Sequence, residues 1–291
     1  MKPAPFRLET PRSLGECVEF LTEHGDEAKI LAGGQSLVPL MNLRLAQPSV
    51  LLDIGGLEAL DFVEENEQSF RIGAVTRLRD LERDANVAES QPLLAEALPY
   101  IGHIQIRNRT TVGGSIAHAD PAAELPAVLL ACGGTIKSVG PNGEREIPAN
   151  NFFESYFSTN LEEDEVIAEI ELPQWKPACG WSIQEVSRRH GDFSLIGIAC
   201  RVSCDEEGVV TEAAAAFFGV GETPSLAEST SSLVGTRADD EALRQVAEAT
   251  TAELDPPTDI HVSADYRKQV GGVLARRSLS IAYQRATGSI T

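Results

Sequence analysis

Two short segments of the 291-residue chain have the residue types needed to hold an anion. One is Ala32-Gly33-Gly34-Gln35-Ser36-Leu37, and the other is Thr110-Thr111-Val112-Gly113-Gly114-Ser115. Each places a glycine pair after β-like residues, with a serine close behind. Glycine lets a backbone turn sharply and approach a ligand with no Cβ in the way. Successive free N–H groups can then converge on an anion, and Ser36 and Ser115 each add a hydroxyl donor. One glycine pair alone reads as a tight turn. Two facing pairs suit the two phosphates of a dinucleotide. Neither segment is GxGxxG or GxxxxGK[ST], so neither a Rossmann fingerprint nor a P-loop is supported.

Other candidate residues read more plainly. Arg107 and Arg109 flank the second segment, and they reach a phosphate, meet a partner or form a solvated pair. His118 and Asp120 suggest a general base, but no nucleophile or metal-ligating partner lies near them in sequence. Arg188-Arg189-x-x-Asp192 reads first as a structural ion pair. The acidic run at 161–165 reads as a solvated turn. The five cysteines, Cys17, Cys132, Cys179, Cys200 and Cys204, form an odd, scattered set with no CxxC pair. That argues against a zinc ribbon or an iron–sulfur cluster on this chain and for a reducing, cytoplasmic setting. Cys200 and Cys204 read as buried thiols in an apolar stretch.

The elements that must position these segments follow from local patterns. Ser13-x-x-Glu16 is a capping box, and its helix stops at Gly25. Residues 28–32 form a short strand that runs into the first glycine pair. A helical piece at 37–44 and a strand at 50–54 follow, so the opening reads as a small parallel sheet. Beyond it come a strand at 69–75, a helix start at 76–81 and helices at 92–101 and 122–131. Pro141-Asn142-Gly143 marks a hairpin, and a strand at 166–172 ends at Pro173. The segment 173–177 (PQWKP), with Trp175 inside it and Trp181 beyond, reads as a packed linker. Strands at 181–188, 195–204 and 209–218 follow, then helices. Tyr266, Val270, Val273, Leu274 and Ile281 mark one face of the terminal helix.

Length and composition bound the partners. The length suggests about two domains. Basic residues number 24 against 44 acidic, a net charge of −20. Nucleic acid is therefore a poor partner, and a phosphate site must rely on neutral local donors. No apolar run is long enough for membrane insertion, and the first residues lack a secretory h-region.

Three segments together carry a family resemblance: AGGQSLVPLMNLRL with LLDI, then IRNRTTVGGSIAHADPAAELPAVLLAC, then SRRHGDFSLIGIA. In order and spacing the chain resembles the FAD-binding medium subunit of molybdenum hydroxylases, of the xanthine dehydrogenase family and carbon-monoxide-dehydrogenase type. The resemblance implies an α+β fold: a two-subdomain FAD-binding domain of the vanillyl-alcohol-oxidase type and a small C-terminal α+β domain with a three-stranded antiparallel sheet and helices. It places the FAD-binding domain at 1–175, with a small parallel-sheet subdomain at 1–56 and a larger mixed or antiparallel one at 57–175. The C-terminal domain then spans 176–291. It implies that Ala32, Gly33, Gly34, Gln35, Ser36 and Leu37 wrap the pyrophosphate on one side, and Thr110, Thr111, Gly113, Gly114 and Ser115 on the other. Glu124 falls where relatives carry an acidic residue, usually Asp, that holds FAD hydroxyls. Ile167 matches an apolar position beside FAD, as do Ile101 and Gly102. Gln184 falls near a position that is Lys in some xanthine-oxidising relatives, so the field at the flavin ring changes.

The same resemblance implies an electron-transfer subunit. A separate large molybdopterin subunit oxidises carbon monoxide, an N-heterocycle or an aldehyde. A small subunit with two-iron two-sulfur clusters passes electrons to the FAD, and an external acceptor takes them. The assembly implied is a dimer of heterotrimers. No catalytic acid–base set and no metal ligands are expected on this chain. A self-contained flavin oxidoreductase is the alternative, and a scaffold without FAD is a further rival.

Overall fold

The computed structural model describes residues 2–290. Its N-terminal strands, β1 (Arg7–Glu9), β2 (Ala28–Leu31) and β3 (Val50–Asp53), form a parallel sheet in the order β1-β3-β2. Helix α1 (Leu14–His24) begins where expected. Ser13 Oγ accepts from the Glu16 N–H at 3.1 Å, and the Glu16 carboxylate accepts from the Arg12 N–H at 2.7 Å. The helix buries Cys17, Val18 and Leu21 against the sheet. Helix α2 (Leu37–Asn42) follows the first glycine pair.

The larger sheet is antiparallel at every pairing. Its strands are β4 (Val63–Glu65), β5 (Ser69–Gly73), β6 (Thr135–Gly140), β7 (Gly143–Pro148) and β10 (Val166–Pro173), in the order β4-β5-β10-β6-β7. Strands β8 (Phe153–Ser155) and β9 (Ser158–Thr159) form a separate hairpin. Gly140 pairs with Gly143, so the β6–β7 turn is the expected Pro141-Asn142, closed by Gly143 at φ 105°. Between β5 and β6 run α3 (Leu78–Arg83), α4 (Ala85–Ser90), α5 (Pro92–Ala97), α6 (Ile104–Arg107), α7 (Val112–His118) and α8 (Glu124–Cys132). All nine residues of α8 are buried. A helix apolar on every side belongs in the interior, and α8 touches β10 on one side and the C-terminal sheet on the other.

That C-terminal sheet comprises β11 (Cys179–Ser187), β12 (Ser194–Cys204), β13 (Val210–Phe218) and β14 (Ser225–Leu226), all antiparallel. The three expected strands are joined by a fourth of only two residues. One face packs Ile183, Ala199, Ala216 and Phe218 into the core built on the larger sheet and α8. The other packs Ile196, Ile198, Cys200, Val202 and Phe217 beneath α9 (Asp240–Glu253) and α10 (Ala264–Ala286). Cys200 and Cys204 are buried in this second core, as expected.

Helix α10 differs from its expected face. Tyr266 and Val273 are exposed, and the buried line runs through Gly271, Leu274, Ala275, Ser278, Leu279 and Ala282. Small residues let the helix lie close on the sheet, and close approach outweighs side-chain hydrophobicity here. At Gly180 an added Cβ would collide with the Ala282 carbonyl oxygen and lie 2.5 Å from the Ala286 nitrogen. The linker tryptophans pack as expected. Trp175 and Trp181 meet edge to face at 6.0 Å, and Trp181 Nε1 donates to Glu96 at 2.7 Å. Arg285 of α10 stacks over Trp181 and pairs with Glu96 at 2.7 Å, so three elements close on one carboxylate.

Arg107 is a buried structural cation. It grips Glu82 of α3 through Nε at 2.8 Å and Nη2 at 3.0 Å, and Nη1 donates to the Gly102 carbonyl at 2.9 Å. Arg107 thereby fixes the turn around Ile101 and Gly102. Its guanidinium, joined by Arg79, holds the Glu82 carboxyl below the usual carboxylate range. A depressed folded-state value means the pair stabilises the fold above pH 4.5 and loses that contribution as pH falls through the lower folded value.

Two outcomes follow. Gly180→Ala overpacks the α10 contact and should cost about 1–3 kcal/mol in urea unfolding. Glu82→Gln leaves Arg107 buried without its counter-charge and should cost about 3–5 kcal/mol at neutral pH. The difference between wild type and E82Q should then shrink as the pH drops below about 4.5, read from denaturation midpoints across an acid series.

Candidate functional site

The two glycine segments, 76 residues apart from Gly33 to Arg109, come into backbone contact. Strand β2 delivers Gly33 to the end of the parallel sheet. There an added Cβ would collide with the Arg109 carbonyl oxygen and lie 2.9 Å from the Thr110 Cα. Gly114 returns the contact, since its Cβ position lies 3.5 Å from the Ala32 Cβ. A larger side chain at Gly33 would separate the segments, whereas one at Gly114 would press on the Thr111 hydroxyl that caps its own helix.

The two segments are not built alike. Residues 32–36 form an open loop between β2 and α2, with Gly34 at φ 72°. Among the described residues, the N–H groups of residues 33–37 meet no protein acceptor. These residues are half-buried, so the unpaired donors line a partly enclosed wall. Ser36 precedes α2 without capping it, which leaves its hydroxyl available. The Gln35 side chain folds back onto the Gly33 carbonyl at 3.2 Å.

The second glycine pair lies inside α7 rather than in a turn after a strand. Thr111 caps that helix, its Oγ1 accepting from the Gly114 N–H at 3.2 Å. The Gly113 N–H donates to the Ala74 carbonyl at 2.9 Å, and the Ser115 N–H donates to the Thr111 carbonyl at 3.0 Å. The expected matching nest of N–H donors is therefore absent on this side. Gly113 serves packing, because a Cβ there would lie 2.6 Å from the Ala74 Cβ. The Thr110 hydroxyl donates to the Ile106 carbonyl at 3.0 Å. Ser115 stands half-buried beyond this capped turn.

The same strut reaches Ile167. The Ala74 N–H donates to the Ala168 carbonyl at 2.9 Å, where β10 bulges between Ile167 and Glu169. Ile167 thus sits behind α7. Ile101 and Gly102 occupy the turn held by Arg107, and the loop after β11 rests there, Gly191 lying against the His103 ring and Gly102. In that loop Arg188 and Asp192 form an exposed pair at 3.8 Å, the structural reading, and Phe193 projects from the surface. His118 lies against Phe157, and burial lowers its basicity.

Glu124 opens α8 and is only 5 % exposed. Burial, with Glu185 as the next cause, pushes its carboxyl up to about 8. Gln184 is not brought to this group. It pairs across the sheet with Ile198, on the face beneath α10, whereas Ile183 pairs with Ala199 on the face toward α8. Glu185, two residues on from Ile183, lies on the α8 side of β11, and sequence reasoning passed over it. Alternation from Ile183 was the available signal. Among the described residues no three His, Cys, Asp or Glu side chains converge as a metal site, and no helix is long and apolar enough to cross a membrane.

A half-buried run of unpaired N–H groups, closed by a second backbone, suits the pyrophosphate of FAD. The buried acid at the head of α8 suits a hydroxyl. Comparison with known proteins supports FAD as the cofactor. Residues 4–175 match the FAD binding domain in molybdopterin dehydrogenase, and residues 181–282 match the CO dehydrogenase flavoprotein C-terminal domain. The chain is 39% identical to subunit alpha of the 6-hydroxypseudooxynicotine dehydrogenase complex of Paenarthrobacter nicotinovorans, covering 98% of this chain and 97% of that one. It is 38% identical to the carbon monoxide dehydrogenase medium chain of Hydrogenophaga pseudoflava, covering 98% and 99%. A solved structure of the Hydrogenophaga enzyme superposes with a TM-score of 0.95 over 98% of this chain and 99% of that one. Quinoline 2-oxidoreductase from Pseudomonas putida 86 superposes at 0.93 with 34% identity, covering 99% and 100%. The chain belongs to the FAD-binding medium chains of molybdopterin-dependent dehydrogenases.

Proposed function

We propose that this chain is the FAD-carrying electron-transfer subunit of a three-subunit molybdenum hydroxylase. The observation that carries the reading is the backbone contact of Gly33 with Arg109 and Thr110, beside a run of N–H groups left free at residues 33–37. Residues 1–175 would hold the nucleotide, with walls from 1–56 and 57–175, and residues 176–291 would cover it. Ala32 to Leu37 would grip the pyrophosphate through backbone N–H groups and the Ser36 hydroxyl. Thr110, Thr111, Gly114 and Ser115 would close the other side, Ser115 through its hydroxyl, with Gly113 seating α7. Glu124 would meet a nucleotide hydroxyl, and Ile101 and Ile167 would border the group.

When bound, FAD supplies the redox chemistry, taking electrons from two-iron two-sulfur clusters of a small partner and yielding them to an external acceptor. This chain's residues bind it, orient it and keep water from its buried edge. The oxidation of substrate belongs to a molybdopterin centre on a large partner. The named substrates of the relatives differ (6-hydroxypseudooxynicotine, carbon monoxide, quinoline) while the resemblance stays close. That supports a substrate choice made on another chain, with carbon monoxide, an N-heterocycle or an aldehyde as the classes. We place the complex in the cytoplasm as a dimer of heterotrimers.

Mass spectrometry of the natively purified protein, denatured together with whatever co-purifies, tests this reading. FAD with one large and one small partner chain is expected. No flavin, and no uptake of added FAD, would overturn it. Reduction of the isolated flavin-loaded chain by a small alcohol or amine would show a self-contained oxidoreductase instead. Gly33→Ala should force the two segments apart and weaken FAD binding on the order of tenfold or more, equivalent to about 1.4 kcal/mol. Flavin fluorescence titration reads this loss, and circular dichroism should stay unchanged.

A further inference from the structure

The two segments that cross at Gly33 carry no acidic residue. None lies between Glu27 and Asp53, and none between Glu96 and Asp120, in a chain that has 44 of them. The charged residues there are Lys29 and Arg44 in the first segment and Arg107 and Arg109 in the second. The crossing therefore joins two basic stretches inside a molecule of net charge −20.

Arg107 is engaged with Glu82 and the Gly102 carbonyl. Arg109 is exposed, and among the described residues its guanidinium meets no acid and no carbonyl. Its place is set by the main chain. The Arg109 carbonyl carbon lies 2.9 Å from where a Gly33 Cβ would stand, so its Cα is within about 4.5 Å of that point. Arg77 stands on the adjoining segment, which bridges to Thr111 and donates the Leu78 N–H to the Thr110 carbonyl at 3.0 Å. It too is exposed and unpaired among the described residues.

Acids bordering this corner are turned elsewhere. Asp53, beside Leu31 in the ladder, accepts from the Gly55 N–H at 3.0 Å. Glu82 is held between Arg79 and Arg107. Asp80, exposed in the first turn of α3, offsets Arg77 in part. Arg109 has no acid in its own segment to offset it. Backbone N–H donors act at contact, whereas a charge acts over roughly 10 Å at 0.1 M salt. A chain of net −20 slows an approaching anion unless its local field is reversed near the site.

We propose that Arg109, assisted by Arg77, is a steering residue for the pyrophosphate of FAD: the two unpaired guanidiniums open a positive approach, through the repulsive field of the chain, to the N–H wall at residues 33–37. This role rests on the FAD reading above. A steering charge changes the rate of association and its response to salt, whereas a hydrogen-bonded charge changes dissociation.

The test is stopped-flow flavin fluorescence with the full chain freed of flavin, mixed with FAD at about 0.01 M and about 0.5 M ionic strength. At the lower salt Arg109→Gln should associate about threefold more slowly than wild type, and adding Arg77→Gln should slow it further. At the higher salt the rates should converge, because screening shortens the reach of each charge to a few ångströms. Dissociation should stay within about twofold of wild type. Arg277→Gln removes the same charge from an exposed position of α10, which covers the opposite face of the C-terminal sheet, and should associate as wild type does. Equal low-salt association by wild type and R109Q would overturn the proposal. So would a loss confined to dissociation and insensitive to salt, which marks a direct contact, or an equal slowing in R277Q, which marks net charge alone. Failure of the wild-type chain to take up FAD at either salt would instead contradict the FAD reading itself.

Discussion

The close approach of the Gly33 backbone to Arg109 and Thr110 is the contact on which the proposed nucleotide site depends. It joins two sheets that share no strand. On one side β2 ends at Gly33, held in a parallel ladder with β3. On the other, α7 is capped by Thr111 and strutted through Ala74 to the bulge in β10. Each support is a backbone hydrogen bond or a side-chain cap, so the crossing is set by main-chain geometry. The free N–H groups of residues 33–37 are useful only because the opposite wall stands at this fixed distance.

Charge is arranged differently from what an anion site usually suggests. The chain carries a net −20, and several of its less exposed cations are engaged with its own acids and carbonyls. Arg71 and Lys137 converge on Glu169, Arg145 holds Glu165, and Arg107 holds Glu82. Arg107 also ties down a loop carbonyl, as does Arg267, which donates to the Gly219 carbonyl at 2.6 Å. Arg71, Lys137 and Arg145 knit the larger sheet, Arg107 and Arg267 brace turns, and in the proposed reading recognition of the phosphates falls to uncharged dipoles. Backbone dipoles fixed in place need no reorganisation when the ligand arrives.

Much of this was legible in the chain. The capping box at Ser13, the Pro141-Asn142 hairpin, the β2–glycine junction and the buried Cys200 and Cys204 all follow from local chemistry. Glycine pairs are poor helix formers, so nothing local marked Gly113 and Gly114 as helical; the Thr111 cap and the fit against Ala74 decide it. Strand β11 is buried on both faces, so its residues do not separate into apolar and polar sets. Alternation puts Glu185 with Ile183 and opposite Gln184, and the pairing register then shows that the Glu185 side faces α8. The terminal helix misled for a related reason. Its contact line follows the small residues that permit a close helix–sheet distance, and Tyr266 and Val273 are left outside.

The hydrophobic core of the larger sheet does not end at the linker. Ile183, Ala199, Ala216 and Phe218 belong to it, and α8 is sandwiched between them and β10. The two stretches of chain on either side of the linker are thus distinct in sequence and continuous in packing. The shared core couples the unfolding of the two stretches. A chain ended after the linker would expose the apolar flank of α8 to water, and self-association would become its cheapest way to cover that surface.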